Sequence, residues 1–163
     1  MTLTFTVWGV AQPKGNMRAI HMPGMKYPIV TESNRSVKSW SQLVAEGANH
    51  ALTQLAPGDR RLLEGPVRLS LAFYLPRPKK YQKRVDVAHL TAPDLDKLAR
   101  CIGDSLTHVC YRDDKQVVEA VLGKFYAGLG EPPHVNVRVE PTAGVRPTIV
   151  RPAPIPLFEE ARS

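Results

Sequence analysis

The residues with most to offer chemically are four aspartates in two short groups, Asp94-Leu95-Asp96 and Asp113-Asp114. Brought to one place, such carboxylates repel one another unless a cation neutralises them. Mg²⁺ suits them, because it takes hard oxygen ligands and is often held by one or two carboxylates plus substrate phosphate. Such an ion would polarise a phosphodiester or generate hydroxide from bound water. Each aspartate also has a structural explanation. Asp94 suits a helix N-cap, Asp96 complements a helix dipole, and Asp113 and Asp114 suit a turn. Spacing alone does not choose between them.

The surrounding charge is basic. Lys and Arg number 22 against 15 Asp and Glu, for a net charge of +7 and a pI near 9.6. A basic domain of this size is biased toward polyanions, because each phosphate neutralised releases condensed counterions. Arg77, Lys79, Lys80, Lys83 and Arg84 crowd into eight residues of a proline-marked connector. Lys14 and Arg18 lie in a second basic stretch near the N-terminus, and Lys97 follows the first acidic motif directly. Cations around an acidic centre suit a protein that holds phosphates and a metal ion together, although a solvated loop would also look basic.

Elements must position these groups. The run 3–9 alternates apolar residues with threonine, as a strand with one buried face does. Residues 10–35, with Pro13, Gly15, Pro23, Gly24 and Pro28, read as a long irregular loop. Val37, Trp40, Val44, Ala48, Ala51 and Leu55 recur at steps of three and four, which predicts a helix stopped by Pro57-Gly58. Its cap lies among Ser33, Asn34 and Ser36. A strand follows over 66–75, then the basic connector 76–90. A second helix fits 95–107, with Leu95, Leu98, Ala99, Ile102 and Leu106 as its apolar stripe. Strands are expected over 117–126 and 134–140, joined as a hairpin through 128–133. The order is β-α-β-α-β-β, an α+β fold whose mixed sheet is packed by two helices. Residues 1–140 form one domain, and 141–163 read as a proline-rich extended or disordered tail.

Several classes fall away. No stretch approaches eighteen consecutive apolar residues, so no membrane span is expected. The opening MTLTFTVWGV has no basic region before its apolar positions, unlike a secretory signal. A cytoplasmic protein is expected, cell-encoded or phage-encoded. Cys101 and Cys110 form neither a disulfide framework nor a CxxC pattern, and with His108 nearby they read as reduced thiols rather than a zinc site.

A more specific signal spans Pro93 to Lys124. The run PDLDKLARCIGDSL, the turn Tyr111-Arg112-Asp113-Asp114-Lys115-Gln116-Val117-Val118 and Lys124 together resemble the RusA family of Holliday-junction resolvases. Those proteins show D-x-D-N-L-x-K, a helix ending near a further Asp, and a D-D-x-Q-[VI] turn before a strand. Gln12-Pro13-Lys14-Gly15-Asn16-Met17-Arg18 is similar to the family's basic P-x-x-K-x-R opening.

The resemblance implies a homodimeric crossover-junction endodeoxyribonuclease that cuts two opposed strands of four-way DNA with Mg²⁺, for which Mn²⁺ is a substitute. Carried over by position, the metal-binding aspartates are Asp94, Asp96 and Asp114, while Asp113 becomes a turn residue or a group that supports the ligands from behind. Lys14, Arg18, the 77–84 cluster and Lys97 are then DNA-binding residues. Asp104 fits the family's helix pattern. Two positions depart from it: the family's Asn is Lys97, and its catalytic Lys is Arg100. Arginine keeps its charge and prefers bidentate phosphate contact, so Arg100 would stabilise negative charge rather than donate a proton. The structural explanation for Arg100 is a salt bridge to Asp96 one turn away.

Two other readings stay open: a broader nuclease of flaps and forks, and a branched-DNA-binding module that has lost its catalysis. In the tail, Pro154-Ile155-Pro156-Leu157-Phe158 is somewhat similar to peptides that dock on sliding clamps, though the usual Gln is missing. A weak clamp contact competes there with a simple anchor on the protein's own surface.

Overall fold

The computed structural model describes residues 1–15, 17–20, 29–32, 36–84 and 86–144. Its elements are β1 (Leu3–Trp8), β2 (Met17–Ile20), β3 (Ile29–Glu32), α1 (Val37–Thr53), β4 (Val67–Leu75), α2 (Leu95–Leu106), β5 (Val117–Tyr126) and β6 (His134–Pro141). A single α+β domain results, with a four-stranded mixed sheet and two helices. The proline-rich segment from 145 onward, with the Leu157-Phe158 pair, lies outside the described residues.

Alternation built the sheet. Along β4, Val67, Leu69, Leu71, Phe73 and Leu75 are buried, while the intervening side chains stay partly open. Leu3 and Val7 of β1 and Val135, Val137 and Val139 of β6 point to that same covered face. The helices close over it. α1 contributes Val37, Trp40, Val44 and Ala48, and α2 contributes Leu98, Cys101, Ile102 and Leu106. Each fully buried aliphatic side chain contributes roughly 1.5–3 kcal/mol.

Strand order differs from the expected hairpin. The sheet runs β1-β6-β4-β5, so β5 and β6 are not neighbours. β5 lies parallel to β4 because α2 returns the chain across the sheet, the geometry of a βαβ unit. β6 then fills the remaining edge of β4, antiparallel to both β4 and β1. The expected irregular loop 10–35 also holds structure: β2 and β3 form a two-stranded antiparallel ladder, Met17 opposite Glu32 and Ile20 opposite Ile29. At the other end the fold continues past residue 140, since β6 includes Pro141 and the Thr142 amide donates to Pro66 O at 3.0 Å.

Candidate active site

The first acidic motif opens α2. Asp94 occupies the N-cap position with extended backbone, yet its side chain makes no capping hydrogen bond. Its carboxylate lies 3.1 Å from Lys97 Nζ, and its side chain is 60% exposed. Asp96 sits in the first helical turn, exposed. Four residues on, Arg100 is also exposed, and among the described residues no ion pair joins it to Asp96. Neither structural explanation holds here: Asp94 does not cap, and Arg100 does not bridge.

Lys124 fixes the approach to this helix. Its Nζ donates to Thr91 O at 2.8 Å and to Pro93 O at 2.9 Å, tying the end of β5 to the residues before Asp94. In the sequence Lys124 stands out only as part of the family resemblance, without a role. A second signal is parity: in 117–126 it shares the inward phase with Leu122 and Tyr126, where a lysine needs a partner.

The second motif behaves differently. Asp113 caps a 3₁₀ turn, Asp114–Gln116, and its Oδ1 accepts from the Lys115 amide at 3.0 Å. Lys115, through its ammonium first and its amide second, holds the Asp113 carboxyl below the usual carboxylate range. Gln116 Oε1 accepts from the Arg112 and Asp113 amides, and its Nε2 donates to Leu63 O and Gly65 O. Asp113 is a turn residue, as expected, and Gln116 is the anchor that sequence reading passed over.

Asp114 begins that turn, at the opposite end of α2 from Asp94. Tyr111 shows where: it is fully buried and donates its hydroxyl to Gly103 O at 2.8 Å. Burial first, then the charges of Cys110, Asp114 and Asp104, push its phenol pKa up, so Asp104 and Asp114 lie near one hydroxyl. Asp104 itself pairs with Lys14. A twelve-residue helix is about 18 Å long, and it separates Asp94 and Asp96 from Asp114.

Among the described residues, no group of three His, Cys, Asp or Glu side chains comes together as a metal site. Asp94 and Asp96 stand two residues apart at the head of α2, and Asp114 follows beyond its other end. Two carboxylates of hard oxygen, uncommitted to capping, are still a donor set that Mg²⁺ accepts alongside phosphate. The cysteines add no ligand set. Both are buried and neither is in a disulfide, and burial pushes the Cys110 thiol up to about 12.

The basic connector divides in two. Arg77 is turned on the protein, donating to Ala127 O at 2.9 Å, to Tyr81 O at 3.3 Å and to Arg84 O. It braces the loop. Lys79, Lys80, Lys83 and Arg84 are exposed. Lys14 and Lys97 each face a carboxylate, and the side chain of Arg18, in β2, lies outside the described residues. Among the described residues no helix is long and apolar enough to cross a membrane.

The comparisons with known proteins agree with the resemblance noted above. The chain is 29% identical over 146 residues to "Uncharacterized protein YqaN" of Bacillus subtilis (strain 168), spanning 84% of this chain and 94% of that one. Residues 10–140 match the family model "Endodeoxyribonuclease RusA". That match takes in β2 through most of β6, both acidic motifs and the basic connector, and with it the chain belongs to the RusA endodeoxyribonuclease family.

Proposed function

We propose that the protein is a structure-selective endonuclease that nicks four-way DNA junctions at the head of α2. The observation that carries this reading is the state of Asp94, a residue at an N-cap position whose carboxylate is left out of the cap. Beside Asp96, it supplies the anionic oxygens that a divalent cation takes. Bound there, the cation would supply Lewis acidity toward the scissile phosphate and a more acidic water.

The chain's own groups supply the rest. Lys97 balances the charge of Asp94 at 3.1 Å. Arg100, exposed on the same helix, offers a fixed positive fork to a phosphate. Lys124 holds the chain before Asp94 in place, so the acidic pair is presented by an anchored helix start. Lys79, Lys80, Lys83 and Arg84 would hold the DNA arms through phosphates, giving affinity and salt dependence but little sequence preference. Asp114 reaches the acidic pair only from a second copy of the chain, as in the homodimer that the family resemblance implies. Two such sites about a two-fold axis would match the near two-fold symmetry of an open junction.

The test is cleavage of a labelled, immobile four-way junction, run beside linear duplex and a flap, with and without Mg²⁺. Paired, symmetric nicks confined to the junction and dependent on metal are expected. Equal cutting of the flap would replace the junction reading with the broader nuclease. Tight binding without cutting, with any divalent ion, would mean that Arg100 marks a site that has lost its chemistry.

A further inference from the structure

The helices cover one face of the sheet, and the opposite face carries an aromatic row. Cross-strand register places Trp8 of β1 beside His134 of β6, His134 beside Tyr74 of β4, and Tyr74 beside Phe125 of β5. The ring centroids follow at 4.8, 4.5 and 5.6 Å, so one row of rings crosses all four strands, stacked at Tyr74–His134 and tilted at its two ends. His134 is buried between its neighbours, while Trp8 is 57% and Phe125 48% exposed.

The next row is small: Thr6, Asn136, Ala72 and Gly123. Asn136, Ala72 and Gly123 of that row, with Ser70, Val121 and Arg138, floor a trough of about 350 Å³. A Cβ on Gly123 would meet the Phe125 ring at 2.6 Å, so a side chain there would push the ring off the trough. The Thr6 hydroxyl donates to Asn136 Oδ1 at 2.8 Å, fixing the amide at the trough floor.

Position and charge identify the occupant. Tyr74 precedes the exposed cations Lys79, Lys80, Lys83 and Arg84 by only a few residues. Phe125 adjoins Lys124, whose ammonium holds the carbonyls just before Asp94. The platform on the open face and the carboxylates on the helix side therefore lie at the same end of the sheet, which the cationic connector leaves, on a chain of net charge +7. The trough is lined by apolar Val121, Leu122 and Val137 as well as by Ser70, Asn136 and Arg138. Aromatic faces beside a cationic track are how proteins hold single-stranded nucleic acid without reading its sequence.

We infer that the Trp8–His134–Tyr74–Phe125 row and its trough stack an unpaired nucleobase of branched DNA while the connector holds the neighbouring phosphates. The inference rests on the endonuclease reading. It assigns to the open sheet face the capture of bases splayed at the crossover.

Trp8 reports on it directly, because Trp40 is buried at 3% exposure and only two tryptophans are present. Full-length protein in EDTA is titrated with a thymidine oligonucleotide, following tryptophan emission and acrylamide quenching. The expected result is that DNA shifts the emission and shields Trp8. Trp8→Leu and, separately, Phe125→Leu should weaken binding roughly ten- to hundredfold, with circular dichroism and Tm near wild type. Unchanged affinity in both folded variants, with no shift in the parent, would overturn the inference. So would a Trp8 already shielded without DNA and released on dilution, which would give the face to a second copy. Junction cutting with Mg²⁺ is scored separately. Stacking without cutting removes only the endonuclease reading, and cutting without stacking removes only this one.

Discussion

Asp94 and Asp113 stand at the same kind of position, each the last extended residue before a helical turn, and each has a lysine within three residues. They use the position differently. Asp113 caps: its carboxylate takes the Lys115 amide, and Gln116 returns a bond to its own backbone. Asp94 leaves the first turn of α2 uncapped by its side chain. Leaving the cap unmade forgoes a bond typically worth about 1 kcal/mol, and in the proposed function that carboxylate serves the cation and the substrate instead. Under the proposed function Asp94 serves the chemistry and Asp113 the fold, and their hydrogen bonding is what differs.

Substitutions along α2 should break or sharpen this contrast, and the largest effect belongs to Asp96. Asp96→Asn should slow junction cutting on the order of a hundredfold or more, with unchanged Tm, because the carboxylate is exposed. Single-turnover rates and a melting curve check both halves. Next is Lys124→Met, which removes the tie between β5 and the approach to Asp94. Its cutting rate should fall about ten- to hundredfold, the usual cost of losing a group that orients a ligand, while DNA affinity in EDTA holds. Equal rates would show that α2 needs no such tether.

Gln116→Ala should do the reverse. Four hydrogen bonds leave with it, two of them to the carbonyls of Leu63 and Gly65. Stability should drop by about 1–3 kcal/mol in a denaturant titration. A destabilised protein that still cuts would confirm the division of labour.

The smallest effect concerns His89, buried against Tyr126 in the connector. Burial first, and then the charge of Lys124, lower its pKa from the ordinary 6.5. The unfolded chain therefore takes up the proton more readily, so stability is full above about 6.5 and declines as pH falls below it. Tm measured from about pH 7 to about pH 5 should drop more in the parent than in His89→Gln.

Elements with a regular buried face are legible in the amino-acid sequence. Both helices announce themselves by apolar residues at steps of three and four, and β4 by its clean alternation, because each buries one face of regular geometry. Asp94, Asp96 and the D-D turn are legible as a family pattern. The adjacency of β4 and β5 is not, because strand order depends on how α2 crosses the sheet, which local periodicity does not encode. β2 and β3 hide among prolines and glycines. The aromatic row hides for another reason: its meaning lies in register across strands, and only Trp8↔His134, His134↔Tyr74 and Tyr74↔Phe125 pairing aligns it.

The most direct test of the contrast sets Asp94→Asn beside Asp113→Asn on one labelled four-way junction with Mg²⁺, in single turnover. Cutting should be lost in Asp94→Asn with its melting unchanged, and retained in Asp113→Asn with its melting lowered. Cutting that survives in Asp94→Asn, or disappears equally in both at full foldedness, would contradict the assignment of chemistry to the head of α2.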